Sequence, residues 1–443
     1  MKIARLIRQV ATFSIMLSVG SASAAGLSAE EERLIKWIDS HTEEAIGLIE
    51  ETVNIGSGTM NHEGVRNVGQ VMRRELDAIG LESEWVDLPP GVNRAGHLFG
   101  RKEGNGPRFL MIGHLDTVFE EDDDFQAFQR DGDTAQGPGI NDMKSGNVVI
   151  VYALKALAEI GVLQDISVVV ALTGDEEATG QPLSISRHHL IEAGKWADIS
   201  LGFESAVNYD NTDWATIARR SSSSWLLEVS GRQAHSSGIF DEDTGAGAIF
   251  EAARILHEFY DEVRGEDYLT FNAGSIQGGT DVEYDPAQTR GSTFGKRNVV
   301  PRSVIVHGGI RTISKDQLDR ARAAMRAVVA RNLPHTQATI TFTDRYPPMP
   351  PTDGNQRLML ELSEINETLG RGPMQALDPS ERGAADISFV APYTDGLAGL
   401  GAEGSGGHTP NEKVDLTSIP IAIKRAAILI YRLTAEARNN QTR

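Results

Sequence analysis

Three near-continuous apolar runs of strand length, Arg108–Gly113, Ile166–Thr173 and Ile199–Phe203, constrain this chain most. A strand apolar on both faces must be covered on both faces, which is the situation in parallel sheets flanked by helices. A helix-like stretch, Ser145–Gly161 (SGNVVIVYALKALAEIG), separates the first two runs. Buried strands alternating with helical patterns predict an α/β fold with a mostly parallel mixed sheet flanked by helices. In such sheets ligands gather outside the carboxyl ends of the strands. Each run ends in that kind of chemistry. FLMIGHLDT carries His114 and Asp116, LTGDEEATG carries Glu176 and Glu177, and LGFES carries Glu204.

Two further segments add Asp142, in GPGINDMKSG, and His408, in GSGGHTP. Each residue has an ordinary reading when taken alone. Asp142 would suit a helix cap, and adjacent acids such as Glu176 and Glu177 normally face solvent. Glu204, at the end of an apolar run, would be costly without a partner. His408 sits among glycines, which permit close approach of the backbone to a ligand. Taken together, they would crowd carboxylates at one sheet edge with no cation, which disfavours their ionised forms. Two histidines and three acids are instead the composition of a metal site. The chain has no cysteine, so any metal must sit on His, Asp and Glu. Zinc suits a mixed nitrogen and oxygen set, and cobalt or manganese can substitute. Asp116 and Glu176 remain as spare carboxylates for proton chemistry. Asp116, two residues after His114, points to the same side and can fix the tautomer of that histidine.

The first residues read as an export signal. Lys2, Arg5 and Arg8 precede an apolar stretch, Val10–Val19, and the small-residue pattern Ala22-Ser23-Ala24. Residues 1–24 are expected to be removed, leaving a periplasmic or secreted chain with no membrane association. A net charge of -20 argues against nucleic acid as a partner. A helix is expected after the capping pair Ser28 and Glu31, with Leu34, Ile35, Ile38, Ile46 and Ile49 on one face. The acidic run Glu120–Asp124 lacks the glycine and ligand spacing of a calcium loop and reads as solvated.

Near Ala215 the pattern changes. A strand (SSSSWLLEVSG), a helix (Asp243–Val263), two strands (Leu269–Ile276 and Ser303–Arg311), a helix (Lys315–Asn332) and a last strand (QATITFTDR) follow. This βαββαβ order predicts an inserted α+β ferredoxin-like domain over residues 216–345. It would divide a catalytic domain into residues 25–215 and 346–443. The proline-rich PPMPP, residues 347–351, would be a stiff exit.

The ordered set GHLDT, GPGINDMKSG, TGDEE, GFES, AHSSG and GGHTP resembles the dizinc metallopeptidase family of bacterial glutamate carboxypeptidase, aminoacylase, acetylornithine deacetylase and succinyl-diaminopimelate desuccinylase. Within it, the chain is most similar to the secreted glutamate carboxypeptidase branch, over essentially its whole mature length. The resemblance implies two zinc ions per chain. Asp142 would bridge them, Glu177 and His408 would complete one site, and His114 and Glu204 the other. Asp116 would orient His114. Glu176 would be the general base, taking a proton from the attacking water and passing it to the leaving amine. His235, in AHSSG of the inserted domain, would reach the active site of a neighbouring subunit and stabilise the oxyanion, making a homodimer functional. Arg311, helped by Asn298, would hold the free carboxylate of the substrate. Met143 departs from the acid that many relatives carry after the bridging aspartate. The family's dipeptidases more often have aspartate at the position of Glu204, so its glutamate favours carboxypeptidase or deacylase chemistry.

The expected activity is therefore that of an exported dinuclear zinc hydrolase cleaving an amide bond beside a free carboxylate. It would release a C-terminal amino acid, with glutamate a candidate, from small peptides or N-acyl conjugates. An N-acyl amino acid deacylase is the alternative within the family. A non-catalytic exported peptide-binding protein is the alternative outside it.

Overall fold

The computed structural model describes residues 26–285, 288 and 290–441. The signal segment expected at residues 1–24 lies outside the described residues.

Two bodies, each with its own sheet, make up the chain. The strands used below are, in chain order, β1 (Glu82–Val86), β2 (His97–Lys102), β3 (Arg108–His114), β4 (Ser167–Thr173) and β5 (Ile199–Gly202). Then come β6 (Ser222–Gly231), β7 (Thr270–Gly279), β8 (Ser303–Arg311), β9 (Thr336–Tyr346) and β10 (Asp395–Leu397). The first sheet has the order β1-β2-β4-β3-β5-β10. Its β4, β3, β5 and β10 run parallel, and β1 and β2 add an antiparallel edge.

The apolar runs behave as their composition dictates. β4 is buried along its whole length, and β3 everywhere but Arg108. The helix Ser145–Glu159 is apolar almost all round, so it is buried almost from end to end. It lies against the closing helix Ser418–Gln441, whose Ile419, Ile423, Ala427 and Ile430 join the same core. A second cluster, with Phe99, Leu110, Ile112, Val169 and Phe389, covers the other face. Each fully buried aliphatic side chain contributes about 1.5–3 kcal/mol, so these two layers fix the sheet. Parallel register then sets the site. His114 pairs with Thr173 and Gly202 with Ile112, so β3 and β4 end level and β5 ends two residues short of them, with Glu204 two residues past its end.

The second body is an antiparallel sheet of order β7-β8-β6-β9. Helices Gly247–Glu258 and Lys315–Val329 pack on it around Trp225, Leu227, Phe259, Val306 and Met325. The arrangement is the βαββαβ sandwich expected from the order of elements. Chain entry and exit run side by side. Arg219 N–H donates to the Met349 carbonyl at 2.8 Å, and Met349 N–H to the Arg219 carbonyl at 2.9 Å. The proline-rich exit is thus clamped, with Met349 buried.

The structure departs from the sequence reading in three places. The first apolar face belongs to two helices, Ala29–Ser40 and Thr42–Val53. The capping box of Ser28 and Glu31 is present, but the chain breaks at His41, where the imidazole Nδ1 donates to the Trp37 carbonyl at 2.8 Å. A hairpin, Asp281–Asp285 with Arg290–Phe294, follows β7. It lacks an apolar alternation strong enough to announce itself. The antiparallel β1 and β2 were also not legible as a pair. Among the described residues, no helix is long and apolar enough to cross a membrane.

Beneath the sheet edge lies a buried ion network. The Arg187 guanidinium, with no exposed surface, pairs with Asp175 and with Asp386 at 2.9 Å. Asp386 also accepts from the Thr173 hydroxyl at 2.5 Å. Removing the cation would leave two buried carboxylates unpaired. Arg187→Met is expected to destabilise the fold by about 3–5 kcal/mol, read as a lowered denaturant midpoint.

Candidate metal centre and active site

Four of the five expected metal ligands form a contiguous cluster. Asp142 lies between two imidazoles and turns one carboxylate oxygen to each. Its Oδ1 is 3.1 Å from His114 Nε2, and its Oδ2 is 3.3 Å from His408 Nε2. His408 Nε2 is also 3.1 Å from Glu177 Oε2. Donor atoms of His114, Asp142 and Glu177 all fall within 4.8 Å of one another. The fifth residue, Glu204, lines the same recess as His114, Met143 and Phe203. Its Oε2 pairs with Arg219 Nη2 at 2.7 Å and lies 3.6 Å from Arg382 Nη2.

Each side chain is placed by its strand end or loop. His114 closes β3, and its Nδ1 donates to the Asp116 carbonyl at 3.0 Å. A carbonyl can only accept, so Nδ1 carries the proton and Nε2 is left facing Asp142. The Asp116 carboxylate is 3.6 Å from the same nitrogen. Asp116 thus orients His114 chiefly through its main chain. Its carboxylate accepts from the amides of Glu176 (2.9 Å) and Glu177 (3.1 Å) and from the Thr59 hydroxyl (2.6 Å). Asp142 sits in a Gly-rich loop gripped by Glu412, which accepts from the amides of Gly139, Asn141 and Asp142 at 3.1, 2.8 and 2.9 Å. His408 adopts a left-handed φ of 63°, two residues after Gly406 at 74°. Such backbone persists only where its surroundings hold it.

The electrostatics are those of a site short of cations. Burial works against a charged His114, but hydrogen bonds to Asp116 and Asp142 outweigh it and hold its pKa well above the usual imidazole value. Hydrogen bonds to Asp142 and Glu177 push His408 up to about 10. Asp142 is half-buried, and burial favours its neutral form, yet the two histidines hold its carboxyl well below the usual range. Glu176 and Glu177 are raised, in both cases first by burial. Burial also lifts Glu412 to about 7.

These residues fit a metal. The donor set is imidazole nitrogen and carboxylate oxygen, the set that zinc and similar divalent ions accept. One buried oxygen, Glu177 Oε1, has no hydrogen-bond partner, as expected of an atom reserved for an ion.

The remaining expected residues lie in the second body. His235 is exposed, with Nδ1 2.8 Å from the Ser237 hydroxyl. Asn298 is beside it, since Ser236 N–H donates to the Asn298 carbonyl at 3.0 Å. Arg311 ends β8, exposed. Among the described residues, no hydrogen bond or ion pair joins these three to the cluster of their own chain. Sequence reasoning missed Glu412, Arg219, Arg382 and Thr59. Glu412 lies about 270 positions from the loop it holds, and no local pattern marks such a contact.

Residues 110–432 match peptidase family M20/M25/M40. The chain belongs to that family. It is 27% identical over 444 residues to carboxypeptidase G2 of Pseudomonas sp. (strain RS-16), covering 95% of this chain and 98% of the relative. It is 25% identical over 357 residues to a succinyl-diaminopimelate desuccinylase of Gluconobacter oxydans (strain 621H), covering 78% and 86%. The fold matches that of YXEP from Bacillus subtilis, described as a dinuclear metal-binding peptidase of family M20. The TM-score is 0.61 at 15% identity, with 89% of this chain and 99% of that one covered. The protein is an M20 enzyme of the metallocarboxypeptidase and amidohydrolase type with a metal-binding site, and the reading as a non-catalytic binder is set aside.

Metal ligands must be deprotonated, whereas His114 and His408 hold protons in the metal-free protein. Metal uptake near neutral pH is therefore expected to release protons and to tighten as pH rises toward about 10, the value for His408. Calorimetric titration in buffers of different ionisation enthalpy measures this. Uptake with no proton release would contradict the ligand assignment.

Proposed function

We propose that this chain is an exported dinuclear zinc hydrolase that cuts an amide bond beside a free carboxylate, releasing a C-terminal amino acid from small peptides or N-acyl conjugates. Glutamate is the leading candidate for the released residue. The observation that carries the reading is Asp142, which offers one carboxylate oxygen toward each of two imidazoles. That is the disposition a bridging ligand needs. Glu177 and His408 would hold one ion, His114 and Glu204 the other. Bound zinc would polarise the scissile carbonyl and acidify the attacking water.

The chain's own residues would do the rest. Glu176, half-buried and next in sequence to Glu177, takes a proton from water on its carboxylate and hands it to the leaving nitrogen. Asp116 holds the Glu176 and Glu177 amides, so base and ligand keep one geometry. Arg311 has no ion-pair partner among the described residues, which leaves its guanidinium free to take a substrate carboxylate in bidentate fashion, with Asn298 assisting. His235, distant in contacts from its own chain's cluster, would serve a partner's site as an oxyanion donor. The inserted domain, residues 216–345, would be the dimerisation surface, between catalytic segments 25–215 and 346–443. The basic, apolar and small-residue order at the N-terminus supports export.

The relationship to a desuccinylase favours a second reading, an N-acyl amino acid deacylase. A panel of peptides and N-acyl amino acids, assayed before and after chelation, separates the two. Release from N-acyl amino acids alone would leave the deacylase.

Glu176→Gln is expected to lower kcat by at least about 10²–10⁴-fold while keeping its metal content. Full turnover in that variant would remove the base. His235→Ala and Glu176→Gln should each be inactive, and mixing the two under conditions that exchange subunits should restore part of the activity. No recovery, with exchange verified by tagged subunits, would refute the shared site.

A further inference from the structure

We propose that Tyr346 is a positioning residue for Glu176, fixing the main chain of the base from the second body. The proposal rests on the reading of Glu176 as the general base.

Tyr346 is the last residue of β9, the strand by which the chain leaves the second body. Along β9 the pairing with β6 is regular until its end. Ser223 pairs with Asp344, but Ser222 pairs with Tyr346, so Arg345 is an extra residue. Such a bulge re-aims the side chains that follow it. Ala338, Ile340 and Phe342 alternate onto the core of the second body. Unbroken alternation would send Tyr346 to that same face. The bulge gives it the opposite face, and its ring packs into the first body's core instead. There it lies against Phe389, with centroids 5.1 Å apart. Phe389 is backed in turn by the Arg187 guanidinium, 5.4 Å from its ring centre.

From that place the hydroxyl completes a frame around the base. It donates to the Glu176 carbonyl at 2.5 Å and accepts from the Thr179 hydroxyl at 3.0 Å. On the other side, the Glu176 N–H donates to Asp116 at 2.9 Å. The main chain of Glu176 is therefore held at both ends, by Asp116 from the end of β3 and by Tyr346 from the second body. Burial, then Glu176 and Asp386, hold the phenol well above its usual pKa, so it stays a donor. A rigid main chain limits the arc through which the carboxylate can swing. The orientation of the second body thereby enters the geometry of the base.

Tyr346→Phe keeps the ring and removes only the hydroxyl. The expected result is a kcat lowered about ten- to hundredfold, with KM within about two-fold of wild type. Metal content and unfolding midpoint should stay close to wild type. Thr179→Val, which spares the bond to the Glu176 carbonyl, should have a smaller effect on kcat. A Tyr346→Phe enzyme with wild-type kcat overturns the proposal. So does one whose metal content or midpoint falls in step with kcat, because the hydroxyl would then act through folding. Glu176→Gln serves as the control. If it is inactive while Tyr346→Phe is fully active, only the role of Tyr346 fails. If Glu176→Gln turns over normally, the base reading fails and takes the proposal with it.

Discussion

One buried carboxylate organises the site. Asp116 has no exposed surface, and burial alone would keep it protonated. Contacts with His114, the Thr59 hydroxyl and the Glu176 amide outweigh that penalty and hold its pKa below the usual value. A carboxylate satisfied by several donors is a rigid joint. It ties the end of β3 to the turn after β4 and to the loop around Thr59. The proposed base Glu176 and the proposed ligands His114 and Glu177 are close to it in sequence or bonded to it. Their relative positions follow from this one group.

Around that joint the charges pull in opposite directions. Asp142, Glu176, Glu177 and Glu204 bring negative charge to a small volume, and the histidines answer by binding protons more tightly. On the far side the balance is reversed. Arg219 and Arg382 share Glu204, and burial together with Arg219 pushes Arg382 down to about 10.

Much of this was legible beforehand. Apolar runs such as β4 allow few placements other than a covered sheet, because so much β-branched surface has no other stable home. Once the strands are parallel, the residues at their carboxyl ends must share an edge. That is why His114, Glu177 and Glu204 could be grouped from their local strings alone. The break at His41 was not legible, since a side chain capping its own helix carbonyl leaves no mark in periodicity. Neither was the Arg345 bulge, which inserts one residue without altering the apolar pattern of β9 before it.

The sequence by itself determined the central parallel strands with their covering helices, the element order of the second body, the family and the kinds of donor available, because those depend on composition and short-range spacing. Tertiary structure alone decided which atoms meet. It turned the two oxygens of Asp142 toward two histidines. It brought Glu412 to a loop some 270 residues earlier, and it set the phenol of Tyr346 on the Glu176 carbonyl from another body. The physical reason is range. Periodicity reports which face of an element is buried, whereas a hydrogen bond between distant segments depends on registers and bulges that become definite only when the layers pack.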